Sequence, residues 1–196
     1  MLTDQHHEDI YNQIHTHFTQ VYDSLETLQG GGEIRAIRGD STERMVDIVC
    51  EYLRTNCGVN VSSKVGDDDK QIIAIGAISR KHQVDRHVYA GDRLALIIEV
   101  KAYLDSCYYE RACNDFKVMR LGHPTVKTVV LALENGISND SVIFTDAVFD
   151  NVCDKICYLC AGKRSSARPM YRREFRKPLE RQGVRQLVEA VYNSVH

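Results

Sequence analysis

The sequence predicts one α/β domain in which a mixed central β-sheet is flanked by helices. Three observations predict it: helical segments at both ends of the chain, a hairpin near the middle, and a run rich in β-branched residues at 125–133. The predicted order is helix, helix, strand, hairpin, helix, strand and helix, which is the order of an α/β fold. A chain of 196 residues can bury its own core without disulfides, so residues 1–196 are interpreted as a single domain.

The N-terminal part should contain two helices and a strand. Residues 7–28 place apolar side chains at intervals of three and four positions, which gives a helix one apolar face. Glycines at 30–32 should break the chain, and a capping-box pattern at 40–43 should open a second helix. Residues 59–65 are predicted as a short strand, whereas 71–79 is compatible with either a strand or a helix.

The C-terminal part should alternate helices and strands. A helix capped at 105–106 and extending to about Arg120 precedes the strand at 125–133. The remaining predictions are a short strand at 141–144, a helix at 147–160, an irregular polar stretch at 162–182 and a closing helix at 184–195.

The hairpin at 84–101 carries the strongest functional signal. Residues 94–98 form a continuous apolar run, as in a strand that is buried on both faces. Such a strand should not end in charged residues unless something binds them, because buried charges must be paired or bound to a metal.

Glu99 and Lys101 are the two charges that end this strand, and they share one face because strand side chains alternate. A three-residue turn at 90–92 would place Asp85 opposite Ile97 and diagonally from Glu99. Diagonal neighbours lie about 7–8 Å apart, so the two carboxylates can converge on one cation. The alternative is a structural ion pair at a sheet edge.

These residues resemble the active-site hairpin of the PD-(D/E)XK nuclease superfamily, to which most type II restriction endonucleases belong. Asp85 matches the first acid and the tripeptide 99–101 matches (D/E)XK, while Val84 stands where the family name has proline. The resemblance implies that Asp85, Glu99 and Lys101 are catalytic. It also implies that Asp85, Glu99 and the backbone carbonyl of Val100 hold Mg²⁺, which activates a bound water.

Other acidic residues are also candidates for this site. By the same resemblance, Glu43 on an early helix would lean into the site and act as a catalytic residue, although the capping box explains Glu43 equally well. The cluster 67–69 is the alternative source of the first carboxylate, or else an exposed turn. Polar residues that follow Lys101 should also lie near the metal or the scissile phosphate, namely Tyr103, Asp105, Arg111 and Asp115.

Cysteines and histidines offer weaker patterns. Cys153, Cys157 and Cys160 have the spacing of one helix face, which favours core packing, and an iron–sulfur cluster is the alternative. The histidines at 6, 7, 15 and 17 are interpreted as surface residues. Seven cysteines in a chain without a signal-peptide pattern or a membrane-length apolar run indicate reduced thiols in a cytoplasm.

Charge is divided unevenly along the chain. Residues 161–196 contain nine Lys or Arg and three Glu, a net charge of +6, so the other 160 residues carry −8. Basic side chains contact phosphates and read guanine, whereas a solvated surface segment is the alternative. The predicted DNA-binding residues are Lys163, Arg164, Arg168, Arg172 and Arg173.

Together these patterns predict a prokaryotic type II restriction enzyme that hydrolyses double-stranded DNA with Mg²⁺. A homodimer is expected because cleavage of both strands at a palindrome needs two sites related by a twofold axis. The alternatives are another nuclease of the superfamily, such as a junction resolvase or a repair nuclease, and a DNA-binding module without activity.

Overall fold

The structure is a computed structural model, which describes residues 1–28 and 31–196. Its five helices in the described part of the chain are α1 (Asp4–Leu25), α2 (Gly31–Asn56), α3 (Ser106–Gly122), α4 (Asn139–Val148) and α5 (Arg181–Val195). Its strands are β1 (Val61–Val65), β2 (Gln71–Ile75), β3 (Ile78–His82), β4 (Arg86–Ala90), β5 (Arg93–Leu104), β6 (Lys127–Asn135) and β7 (Lys155–Tyr158).

The central sheet has five strands in the order β1, β4, β5, β6, β7. The pairs β1–β4 and β4–β5 are antiparallel, whereas β5–β6 and β6–β7 are parallel. The α/β class and the mixed sheet predicted from the sequence are therefore confirmed. Strands β2 and β3 form a separate antiparallel ribbon.

The core lies on both faces of this sheet. One face packs against α1, α2 and α5, and the other packs against α3. Strand β5 contributes to both layers, with Ile98 and Val100 on the first face and Ile97 on the second. This two-sided burial explains the continuous apolar run at 94–98.

A second helix ends close to the predicted residue, Arg54, but its predicted start was wrong. Helix α2 is continuous from Gly31 to Asn56, and no helix starts at 40–43; Gly30 lies outside the described residues. The Thr42 hydroxyl donates to the Arg38 carbonyl oxygen, one turn back in the same helix, at 2.7 Å. Tertiary contacts hold this half of α2, because the Arg38 side chain is buried against α1 and the sheet.

The predictions for residues 141–160 were also wrong. Residues 141–144 belong to α4, which Ser138 caps, and residues 155–158 form an edge strand rather than part of a helix. The apolar side chains of α4 are largely exposed and those of β7 are partly buried, so their burial does not follow the periodicity that the sequence suggested. No helix in the two described segments is long and apolar enough to cross a membrane.

Candidate active site

The candidate site lies at an open edge of the sheet. Strand β4 begins at Arg86, opposite Ile98, whereas β5 continues to Leu104. From Glu99 to Leu104, β5 therefore has no strand paired with it on the β4 side among the residues described. Asp85, Glu99 and Lys101 all stand at this edge.

The hairpin turn differs from the predicted one. It contains only Gly91 and Asp92, with Gly91 at φ +60°, and a bulge interrupts the register between Val88 and Tyr89. His87 rather than Asp85 therefore pairs with Ile97. Asp85, the residue before Arg86, therefore comes beside Glu99 rather than Ile97, and both acids contact Lys101.

Lys101 joins the two carboxylates. Its Nζ donates to Asp85 Oδ2 at 2.8 Å and to Glu99 Oε2 at 2.5 Å. Asp85 Oδ2 also accepts from the Val100 amide at 2.7 Å. The structure thus brings together four sequence-predicted residues, and the ammonium occupies the space between two acids.

Burial and mutual repulsion hold Glu99 in an unusual state. Only 8% of its side chain is exposed, and burial followed by the charge of Asp85 raises its pKa to about 7. Burial opposes the charged form of Lys101 as well, but Glu99 and Asp85 outweigh it, so the pKa of Lys101 is raised. An additional cation near these acids would relieve this repulsion.

Glu43 is not a helix cap. It lies in the middle of α2, and its Oε2 is 3.3 Å from Nε of Arg86, a buried arginine that directly follows Asp85. Burial, then the charge of Asp85, raises the pKa of Glu43 to about 7. Asp47, one turn further along α2, holds the other end of Arg86 at 2.7 Å. The sequence analysis missed Arg86, whose burial depends on these partners from α2.

A cleft of about 220 Å³ opens beside Glu99 and Lys101. One part of its wall is acidic: Asp115 of α3 lies 3.4 Å from His82 Nε2, and burial raises the pKa of Asp115. Asp105, by contrast, does not line the cleft; it caps α3 by accepting from the Tyr108 amide at 2.9 Å.

The cleft wall also contains basic and aromatic side chains. Arg35 of α2 and Arg111 of α3 line it together with Tyr103 and Tyr108. Both arginines are exposed, and neither lies within ion-pair distance of a carboxylate in the described chain. Arg35 was not predicted, because its position relative to β5 depends on the path of α2.

The five predicted DNA-binding residues are all exposed, and none is ion-paired with a carboxylate of the described residues. Arg164 reaches the cleft, where its guanidinium lies 3.5 Å from the centre of the Tyr103 ring. The four other basic residues of 161–196 do form ion pairs, with Asp23, Glu134, Glu8 and Glu189 among their partners. These four are Arg176, Lys177, Arg181 and Arg185.

The acidic cluster 67–69 has a different place. Asp69 contacts His87 Nδ1 at 3.0 Å and accepts from the Tyr89 hydroxyl, both on β4. Asp67 and Asp68 are exposed. The structure therefore groups Asp85, not this cluster, with Glu99 and Lys101.

The cysteines do not share a helix face as predicted. Cys153 lies in a loop, Cys157 lies in β7 and Cys160 follows it, while Cys157 and Cys160 are buried in the core. Burial raises the pKa values of these two thiols to about 12. Within the described residues, no three His, Cys, Asp or Glu side chains are grouped as a metal site.

Comparison with known proteins shows that part of the chain is similar in sequence to a type II restriction enzyme. The chain is 28% identical over 109 residues to the type II restriction enzyme DdeI of Desulfomicrobium norvegicum, an alignment that covers 50% of this chain and 45% of that enzyme. The chain thus spans a little under half the length of this relative. No family model matches the chain.

Among solved structures, the native BbvCI A2B2 tetramer at low resolution aligns with 95% of this chain and 86% of its own. The TM-score is 0.41 and the sequence identity 11%. At this level of similarity, the function must be argued from the residues of this chain and from the sequence match.

Proposed function

We propose that this protein is a Mg²⁺-dependent endonuclease that cleaves double-stranded DNA at specific sequences, as a type II restriction enzyme of the PD-(D/E)XK kind. The observation that carries the proposal is the meeting of Asp85 and Glu99 on the Lys101 ammonium at the open edge of β5. The partial similarity to a type II restriction enzyme supports the same reaction class.

The donor set fits a magnesium ion. Asp85 and Glu99 supply carboxylate oxygens, and the Lys101 ammonium that contacts both of them leaves one positive charge for two acids. A strand residue directs its N–H and C=O toward the same neighbour, so the Val100 carbonyl faces the edge from which its amide contacts Asp85. Two carboxylates, one carbonyl and water molecules would form an oxygen shell of the kind that Mg²⁺ prefers. The ion would lower the pKa of a bound water and stabilise charge on the phosphate.

Lys101 and Glu43 would act on the reacting groups. The Lys101 ammonium would orient the attacking water or stabilise charge that develops on the phosphate, because it is held in place by two acids. Glu43, with a pKa raised to about 7, would accept a proton near neutral pH. Arg86 would position Glu43 through its guanidinium.

The charge distribution of the cleft suits a phosphodiester. Glu99, Lys101 and Asp115 line the cleft where the metal would bind, and Arg35 and Arg111, which line the same cleft, have no ion-pair partner among the described residues. Arg164, stacked on Tyr103, would extend this basic wall toward residues 163–173. These cations would hold the DNA backbone on either side of the bond that is cleaved.

A homodimer in a prokaryotic cytoplasm is part of the proposal. Cleavage of both strands at a palindromic site requires two active sites that face opposite strands, and a twofold dimer supplies them. Sedimentation of the protein with and without DNA would measure this state directly.

The test is digestion of a plasmid of known sequence with the purified protein and Mg²⁺, followed by mapping of the ends. Discrete fragments that end at one sequence are expected, with loss of cleavage on plasmid from the native, modifying host. Cleavage only of branched DNA would indicate a junction resolvase, and random fragments another type of nuclease. Binding without any cleavage would contradict an enzymatic function.

A further inference from the structure

The ribbon formed by β2 and β3 (residues 71–82) protrudes from the fold. Eight consecutive residues, 74–81, are exposed. Since side chains alternate along a strand, both faces of the ribbon meet solvent from residue 74 to residue 81, beyond the buried Ile73. Three isoleucines are exposed by 63–76%: Ile72, Ile75 and Ile78.

These isoleucines do not form one flat patch. Ile75 pairs with Ile78 across the ribbon, next to the turn at 76–77, whereas Ile72 pairs with Lys81 and projects from the opposite face. A flat partner would cover only one face. A partner that receives the ribbon in a groove would cover both.

The charge of the ribbon indicates which kind of partner supplies this groove. From Lys70 to Val84 the chain contains three Lys or Arg and no Asp or Glu. Arg80 and Lys81 are neighbours and therefore project from opposite faces, and neither has an ion-pair partner among residues 1–28 and 31–196. A ribbon with a cation on each face is complementary to a groove that has phosphates along both walls.

The base of the ribbon is fixed beside the candidate active site. Ile73 is buried against α3, and Gln71 donates to the Tyr89 hydroxyl at 3.1 Å. His82 is 3.4 Å from Asp115, which lines the cleft. The tip at 75–78 lies two residues beyond the buried Ile73, or about 7 Å at the rise of a strand.

We propose that this ribbon inserts into the major groove of duplex DNA next to the cleaved bond and contributes to sequence recognition. This inference rests on the proposed nuclease function. The major groove admits a two-stranded β-ribbon, and apolar side chains there contact the methyl groups of thymine. Arg80 and Lys81 contact the phosphates of the two strands. Recognition thus involves a second element besides residues 163–173.

Cleavage specificity tests the inference. Once the cleavage site of the wild type is mapped, kcat/KM is measured on that site and on sites with one base pair changed. In the double variant Ile75→Thr/Ile78→Thr, which retains β-branched residues, the preference for the mapped site should fall about tenfold, the size expected when recognition of one base pair is lost. Ile143→Thr is the matched control, because Ile143 on α4 is 67% exposed and remote in sequence from the site.

Crosslinking gives a readout that does not depend on cleavage. A photoreactive phenylalanine at position 78, in the presence of chelator, should crosslink to a duplex oligonucleotide, whereas the same group at position 143 should not. Arg80→Gln/Lys81→Gln should lower the salt slope of binding to a random duplex by about 0.9 for each phosphate that the variant no longer neutralises.

The outcomes separate the two proposals. Unchanged specificity and no crosslink at position 78 would overturn the ribbon's role while the wild type still cleaves. A ribbon variant that becomes monomeric, with no crosslink to DNA, would also overturn it and assign the ribbon to contact between copies. A crosslink at position 78 in a wild type that never cleaves would support the ribbon and contradict the nuclease function.

Discussion

At the scale of single residues, the site depends on three charges that burial forces together. Glu99 is almost inaccessible, and Lys101 contacts both Glu99 and Asp85. Each acid opposes ionisation of the other, so the arrangement favours whichever cation is available. This is the physical basis of the metal proposal, and it leads to two predictions.

The variants Asp85→Asn and Glu99→Gln should each lower the cleavage rate at least about a hundredfold, because loss of one group that stabilises the transition state has effects of this size. The isosteric amides keep most of the packing. Plasmid cleavage at saturating Mg²⁺ measures the rate, and Asp92→Asn, in the exposed turn of the same hairpin, is the control. If Asp85→Asn stayed active while Asp69→Asn did not, the first acid would have to be reassigned.

The metal-free protein should lose stability as pH rises through about 7. Burial raises the pKa of Glu99 above its usual value of 4.5, to about 7, so the folded state binds more protons than the unfolded state between those values. The contribution is fully present below 4.5 and is lost as pH rises through the folded pKa. Urea unfolding in chelator should show a loss on the order of 1–3 kcal/mol between about pH 5 and about pH 8.

Glu99→Gln should flatten this pH dependence, because the amide does not titrate. Glu43, whose pKa is also raised to about 7, contributes in the same direction and should leave a residual slope. If the free energy of unfolding of the wild type instead rose over this pH range, the pKa of Glu99 would not be raised in the folded state.

At the scale of elements, helix α2 holds the site by means of a buried arginine. Arg38 Nη2 donates to Glu134 of β6 at 2.8 Å and to the carbonyl oxygen of Ala102 in β5 at 3.2 Å, while its Nε donates to the Tyr22 hydroxyl. One side chain thus ties α2 to α1 and to the open end of β5. Lys177 contacts the second oxygen of Glu134.

Removal of one partner from this network should be costly. Arg38→Met leaves the Glu134 carboxylate buried, with Lys177 as its remaining cation, and should lower the free energy of unfolding by about 3–5 kcal/mol. Urea unfolding is the measurement. The control is Arg44→Gln on the same helix, whose ion pair with Glu51 is exposed and should contribute about 1 kcal/mol or less. Equal effects of the two variants would mean that the buried network does not hold α2.

At the scale of the whole molecule, the basic C-terminal segment divides into two groups. Lys163, Arg164, Arg168, Arg172 and Arg173 are exposed and have no carboxylate partner in the described chain, whereas the four later basic residues are ion-paired to α1, α5 or Glu134. The first group is therefore free to make the proposed contacts with DNA, and the second secures the segment to the fold.

Arg172→Gln/Arg173→Gln should weaken binding to a random duplex and lower its salt slope by about 0.9 for each phosphate left without its arginine. The double variant Arg181→Gln/Arg185→Gln lies in the same segment, but its arginines are paired, so its slope should stay unchanged. The measurement is the affinity of each variant and of the wild type for the duplex across a series of salt concentrations. If only the second pair altered the slope, the DNA would be held along the opposite end of the segment.

Chelation of divalent ions should stop cleavage without unfolding the protein. The core on both faces of the sheet consists of apolar side chains, and Lys101 already compensates the two acids. Thermal unfolding with and without chelator, alongside a cleavage assay, measures both effects. An unfolding transition that disappears in chelator would assign the metal a structural role.

The sequence by itself determined the α/β class, most element positions and the grouping of Asp85, Glu99 and Lys101, because strand alternation and hairpin connection are local properties. It did not determine the two-residue turn at 91–92 or the bulge between Val88 and Tyr89, each of which shifts the register by one residue, so that Asp85 comes beside Glu99 instead of Ile97. Nor did it determine that α2 runs through 40–43, which removed the cap interpretation of Glu43 and placed Glu43 beside Arg86.

Only the tertiary structure decided which charges are available and which are compensated. The arginines at 164 and 176 look alike in the sequence, yet one stacks on Tyr103 at the cleft and the other pairs with Asp23. The ribbon at 71–82 could not be predicted either, because the sequence of 71–79 is compatible with a strand or a helix. The physical reason is that burial and ion pairing depend on partners distant along the chain, whereas sequence patterns record only near neighbours.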